Sequence, residues 1–227
     1  MAEPLPTDTA LAEPREVRIP CGPASLAGNL ALPPSPAGLV LFAHGSGSGR
    51  HSPRNRQVAQ ALRQAGLATL LFDLLTADEE RMDSCTREYR FDIALLTARL
   101  ECATAWAGQQ PELGGLPLGY FGASTGSAAA LIAASRLGPR VRAVVSRGGR
   151  PDLAGPVMLA SILCPTLLLA GGADAEVIRL NEMAMHHLRC ERSLQVVPGA
   201  THLFEEPGAL ETVCRLAADW FSRHLPA

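Results

Sequence analysis

Residues 120–130 read Tyr120-Phe121-Gly122-Ala123-Ser124-Thr125-Gly126-Ser127-Ala128-Ala129-Ala130. An apolar run enters from Leu118, a Gly-x-Ser-x-Gly pentapeptide follows, and an Ala-rich run leaves. The pattern predicts a buried strand, a sharp turn and a helix, with Ser124 held out at the turn where it can act as a nucleophile. Gly122 and Gly126 leave room for the tight turn and for close strand–helix packing. The pentapeptide alone is a modest signal, so its meaning depends on the chain around it.

Working outward, strand and helix signals alternate. Leu39-Val40-Leu41-Phe42-Ala43 is continuously apolar, as expected for a strand buried on both faces. A glycine-rich loop follows, then a helix from Ser52 to Ala65, with Ser52 as N-cap, Pro53 at the first helical position and Val58, Leu62 and Ala65 as its apolar stripe. Ala68 to Leu74 reads as a strand, the polar stretch Thr76 to Glu88 as a surface loop, and Asp92 to Trp106 as a helix. Past the Ser124 turn come a strand at Val141–Ser146, a loop from Arg147 to Pro156, a short helix and a strand at Thr166–Ala170. Two helices split by a strand at Leu194–Val197 complete the chain, the last running from Ala209 to His224. Upstream, Glu16–Pro20 and Ala27–Leu32 form an expected antiparallel pair, and residues 1–15 a flexible lead-in rich in Pro, Ala and Thr. The alternation predicts one α/β domain over residues 16–227: a mostly parallel sheet with helices on both faces, its site beyond the carboxyl ends of the strands.

Composition narrows the chemistry. The 227 residues are 47% hydrophobic and carry a formal net charge of -2, so no basic surplus points to nucleic acid. All the basic side chains are arginine, which excludes a Schiff-base lysine, a Ser–Lys dyad and a P-loop lysine. Cys21, Cys85, Cys102, Cys164, Cys190 and Cys214 contain no Cys-x-x-Cys spacing, which argues against zinc and thioredoxin-type sites. Scattered thiols and the lack of a charged-then-apolar leader suggest a cytoplasmic protein. No apolar run reaches the length of a membrane span. His186 and His187 lack a carboxylate at metal-ligand spacing, so neither a metal nor a cofactor is expected.

Four predicted strand ends carry the pieces of one reaction. His44-Gly45-Ser46-Gly47-Ser48-Gly49 follows the strand at Ala43, Ser124 the one at Phe121, Asp174 the one at Ala170, and His202 the one at Val197. A serine needs a base near neutral pH, an imidazole can take and return its proton, and a carboxylate fixes the imidazole tautomer. The backbone N–H groups of Ser46 and Thr125 are the candidate donors to an oxyanion. Asp152, in the loop after Ser146, is the rival for the acid. Asp73 reads as a structural hydrogen-bond acceptor and His44 as a residue that shapes the oxyanion loop. His51 and Arg147 are candidate substrate contacts, and Arg50, Arg54 and Arg56 stand near a helix N-terminus that suits an anion.

The order Ser124, Asp174, His202, with Phe42-Ala43-His44-Gly45-Ser46-Gly47-Ser48, Gly171-Gly172-Ala173-Asp174 and Pro198-Gly199-Ala200-Thr201-His202, resembles the α/β-hydrolase superfamily. The resemblance runs from Leu39 to the C-terminus and is greatest to the dienelactone hydrolase-like branch. It implies a three-layer α/β-hydrolase fold and acyl-transfer chemistry. Dienelactone hydrolases proper place cysteine where Ser124 stands, so serine here favours ordinary carboxylic esters. The short connection from Ser146 to Thr166 leaves no room for a cap domain, which implies an open site for a small-molecule ester. Two other readings are open. Gly45-x-Gly47-x-Gly49 with Asp73 suggests a nucleotide-binding oxidoreductase, although Arg50 stands where the fingerprint needs glycine. A catalytically silent binding protein of the same fold is the other.

Overall fold

The computed structural model describes residues 13–225, so most of the expected lead-in lies outside the described residues, and Arg15 already belongs to a strand. The elements are β1 (Arg15–Cys21), β2 (Ala24–Ala31), β3 (Leu39–Ala43), α1 (Pro53–Gln64), β4 (Ala68–Phe72), α2 (Ala77–Thr86), α3 (Ile93–Gln109), β5 (Leu118–Ala123), α4 (Thr125–Leu137), β6 (Val141–Arg147), α5 (Gly155–Ser161), β7 (Thr166–Gly171), α6 (Ala175–His187), β8 (Arg192–Val197) and α7 (Ala209–His224). The strands form one eight-stranded sheet in the order β1-β2-β4-β3-β5-β6-β7-β8. β2 is antiparallel to β1 and β4, and every other neighbouring pair is parallel.

Two apolar layers explain why the central strands are apolar throughout. Leu39, Leu41 and Ala43 of β3 face a layer with Leu96, Leu100 and Ala103 of α3 and Ala129–Ala134 of α4. Val40 and Phe42 face the other layer, with Val58 and Leu62 of α1 and Val213, Trp220 and Phe221 of α7. Successive strand side chains point to opposite faces, so a strand between two helix layers has no polar positions. Between β6 and β7 the chain forms only a 3₁₀ turn (Pro151–Ala154) and α5, so no cap domain is inserted. Among the described residues no helix is long and apolar enough to cross a membrane.

Two expectations are corrected. The stretch Thr76–Glu88 is not a loop: it forms α2, opened by a capping box in which Thr76 Oγ1 accepts from Glu79 N–H and the Glu79 side chain accepts from Thr76 N–H. This helix shows no apolar stripe because its one buried residue is Asp83. The Asp83 carboxylate accepts from the backbone N–H groups of Tyr89 and Arg90 and from Arg90 Nε, which ties the end of α2 to the approach of α3. The cysteines are not all scattered thiols. Cys21 at the end of β1 and Cys102 on α3 form a disulfide with their Cα atoms 5.8 Å apart, while the other four cysteines are free.

Candidate active site

Ser124 joins β5 to α4 with φ 50° and ψ -122°. A side chain at such a positive φ is strained by about 1–3 kcal/mol, and the surroundings must hold it there. They do so from the segment that leaves β6. Ser124 N–H donates to Arg147 O at 3.1 Å, and Arg150 N–H donates to Ser124 O at 3.3 Å. Ser127 Oγ accepts from Arg150 N–H at 3.0 Å and donates to Ser124 O at 2.8 Å. The flanking glycines are required by close approach. A Cβ at Gly122 would lie 2.5 Å from Ser127 Cα, and one at Gly126 would overlap the carbonyl oxygens of Ala43 and His44.

Asp174 is the N-cap of α6, with Oδ1 accepting from Val177 N–H at 3.2 Å. Its Oδ2 lies 2.9 Å from His202 Nδ1, in the loop after β8. The carboxylate assigns the proton to Nδ1 and leaves Nε2 as the acceptor. The His202 side chain is 41% exposed, in keeping with an uncapped site. The rival acid Asp152 is occupied elsewhere, with its two oxygens 2.9 and 2.8 Å from Arg150 Nε and Nη2. The structure thus brings Asp174, not Asp152, to His202. Ser124 Oγ is not hydrogen-bonded to His202; such contacts often close only with substrate. Two consecutive residues touch the pair. A Cβ on Gly148 would stand 3.6 Å from His202 Cε1, and the residue before it holds Ser124 N–H.

The loop after β3 completes the arrangement. A Cβ at Gly45 would be 3.0 Å from Ser124 Cβ, so the loop lies against the nucleophile candidate. The backbone N–H groups of Ser46 and Thr125 donate to no acceptor among the described residues. His44 shapes this loop. It is buried, Nδ1 bonds Gly45 O at 2.9 Å, and Nε2 accepts from Leu74 N–H at 2.9 Å, joining the ends of β3 and β4. Burial pushes its pKa down, against the opposing pull of Gly45 O, Asp73 and Glu80. Asp73 accepts from Arg50 N–H at 2.7 Å and from the Arg50 guanidinium, a structural role that leaves no carboxylate free for a ribose.

The remaining candidates separate. Ser46, Ser48, Arg50 and Arg54 border a cleft of about 680 Å³ on one side of the loop after β3. His51 lies instead in a larger groove of about 940 Å³ along α1, with Arg56 and Gln60. Arg147 faces neither, being 8% exposed and turned inward against Asn55 and Phe204. Arg54 bonds Glu205 at 2.6 Å, and Thr201 Oγ1 bonds Glu206 at 2.5 Å, so these carboxylates brace the His202 loop and do not sit in the first turn of α7. Sequence reading missed Asn181. Fully buried on α6, it donates to Gly149 O at 3.1 Å and to Val177 O at 2.7 Å. It links the helix that carries Asp174 to the segment that clamps Ser124. Its spacing seven residues after Asp174 carries no motif.

Comparison with known proteins identifies the family and the fold. A family model described as an alpha/beta hydrolase domain matches residues 36–213. A dienelactone hydrolase from Anabaena variabilis is 54% identical, with a TM-score of 0.91 over 94% of this chain and 100% of that one. Est1E from Butyrivibrio proteoclasticus shares the fold at 15% identity, with a TM-score of 0.78 over 92% of this chain and 98% of its own. A Mycobacterium tuberculosis protein provisionally named a phosphoribosyl transferase is 57% identical over 92% of this chain. The match covers 46% of that protein, so the chain spans about half the length of the curated relatives it matches. With the sheet order, the uncapped β6–β7 connection and these matches together, the chain belongs to the α/β-hydrolase family, on its dienelactone hydrolase-like branch.

Proposed function

We propose that the protein is a serine hydrolase of small carboxylic esters, with Ser124 as nucleophile, His202 as base and Asp174 as orienting acid. The observation that carries this reading is the 2.9 Å contact between Asp174 Oδ2 and His202 Nδ1, at the ends of β7 and β8, on the same edge of the sheet as the strained turn at Ser124 after β5. Ser124 Oγ attacks the acyl carbon while His202 Nε2 takes its proton. The oxyanion accepts from the N–H groups of Ser46 and Thr125, each worth about 10²–10³ in rate in comparable sites. The C–O bond breaks, the alcohol leaves with the proton from His202, and water then releases the acid by the same steps reversed. The side of the cleft at Ser46 and Arg54 is where the ester's outer groups would rest.

The phosphoribosyl transferase name is not carried over, because it belongs to a relative of twice the length and the site described here suits acyl transfer. We place the protein in the cytoplasm on its four free thiols, with the Cys21–Cys102 bridge closing only after the cell is opened; a bridge already intact in alkylated fresh lysate would overturn this reading. The main test is hydrolysis of p-nitrophenyl acetate together with fluorophosphonate labelling mapped to Ser124. Turnover that survives Ser124→Ala, or a folded protein that neither turns over nor labels, would overturn the reading; the latter result would favour a silent binding protein.

A further inference from the structure

Arg147 carries a charge without a counter-charge among the described residues. It ends β6 and is 8% exposed. Its Nε and Nη1 are buried without a hydrogen-bond partner, and Nη2 reaches Asn55 Oδ1 only at 3.5 Å. Glu205, on the His202 loop, is engaged by Arg54. Burial, and next the like charge of Arg54, push the Arg147 pKa down to about 10, so the group is still cationic at neutral pH. A buried, unpaired guanidinium opposes folding. A rule broken at such cost points to function.

The position of Arg147 shows what that function is. Its carbonyl accepts Ser124 N–H at 3.1 Å. Its guanidinium carbon lies 5.9 Å from the centre of the Phe204 ring, within cation–π range. Phe204 follows His202 by two residues, is fully buried, and has φ 57°, a backbone conformation an aromatic residue adopts only when its ring is held. The next residue, Gly148, packs against the His202 backbone, where a Cβ would come within 3.1 Å of His202 O. One residue therefore grips the backbone of the nucleophile candidate at one end and the loop of the base at the other.

We propose that Arg147 is a positioning residue, whose unpaired guanidinium fixes the Phe204 ring and so keeps His202 in register with Ser124 at the expense of fold stability. The proposal rests on the roles given to Ser124 and His202 above. Its two effects have opposite signs, which separates it from a merely structural role. A methionine of similar length fills the same space without the desolvation penalty and replaces the cation–π attraction with a weaker sulfur–ring contact. Arg147→Met is expected to raise the thermal midpoint while lowering kcat about tenfold, between the fold-changes of an exposed and a fully desolvated cation–π contact, with KM within about twofold. Arg147→Lys keeps the charge and recovers part of kcat. Phe204→Leu loses kcat like Arg147→Met, and the double variant is no worse than the lower single.

Wild-type kcat in Arg147→Met overturns the proposal. So does a parallel fall in midpoint and kcat that lysine does not recover, or additive losses in the double variant. Should Arg147→Met not fold, the lysine and leucine variants decide by the same criteria, since full activity in Phe204→Leu removes the route through the ring. Fluorophosphonate labelling of the wild type keeps the two readings apart. No labelling at Ser124 removes the proposed function, whereas labelling with wild-type turnover in Arg147→Met removes only the positioning role.

Discussion

His202 Nδ1 meets Asp174 Oδ2 at 2.9 Å, while both oxygens of Asp152 are held by Arg150. The two acids follow neighbouring strands, so chain order alone left them as rivals. Asp174→Asn replaces an acceptor with a group that favours the wrong imidazole tautomer. It is expected to lower kcat on p-nitrophenyl acetate by about 10³–10⁴-fold. Asp152→Asn, which only frees Arg150, is expected to stay within about threefold of wild type, an effect the size of a partly exposed ion pair. Steady-state kinetics on the two variants checks the assignment, and the reverse ranking would falsify it.

The pH dependence of stability follows from His44. Burial holds its folded pKa below the ordinary 6.5, and Nε2 must stay unprotonated to accept from Leu74 N–H. Above pH 6.5 both folded and unfolded chains carry a neutral imidazole, and the group contributes no penalty. As pH falls through that value the unfolded chain takes up a proton that the folded chain refuses. Stability is therefore lost on acidification, at up to about 1.4 kcal/mol per pH unit for this one group. His224 shifts in the same direction and adds to the slope. The check is a comparison of wild type with His44→Gln by urea unfolding at pH 7.5 and 5.5. The variant should be less stable at pH 7.5 but lose less between the two.

The disulfide gives a third expectation. Cys21 and Cys102 are separated by 81 residues, and closing a loop of that size stabilises the fold by about 4.5 kcal/mol in the chain-entropy model. Thiol titration of the unfolded, unreduced protein should count four sulfhydryls, and reduction should raise the count to six. Reduction should also lower the thermal midpoint. A count of six before reduction would show the bridge absent from the purified protein.

What the chain disclosed by inspection follows from how its signals are written. The strands at Leu39–Ala43 and Thr166–Gly171 are buried on both faces, so they appear as unbroken apolar runs and their ends place Ser46 and Asp174 directly. α2 was illegible because it has no apolar stripe; its evidence was Thr76 and Glu79, a capping pair that outweighs periodicity in a helix covering a polar anchor. Side-chain direction was also hidden. Ser146 and Arg147 alternate across β6, and only tertiary packing shows that Arg147 turns into the α1–α7 layer beneath Phe204 and not into the cleft. The Cys21–Cys102 pair depends on β1 lying against α3, which no local pattern encodes.

Asn181 provides the last test, because both hydrogens of its amide are committed. One goes to Gly149 O at 3.1 Å and the other to Val177 O at 2.7 Å, in a fully buried setting. Asn181→Asp keeps the shape but presents oxygens to two carbonyls and strands a charge, for which a loss of about 3–5 kcal/mol is expected. Asn181→Leu leaves Gly149 O without its donor and Val177 O with its helix partner alone, but buries no charge, so a smaller loss of about 1–3 kcal/mol is expected. Urea unfolding of the two variants supplies the ranking. Equal stability in Asn181→Asp and wild type would show that the amide does not bridge α6 to the Gly149 segment. The aspartate is also expected to be less harmful at low pH. Once protonated it can donate to one of the two carbonyls again, so its deficit should narrow as pH falls while that of the leucine variant stays constant.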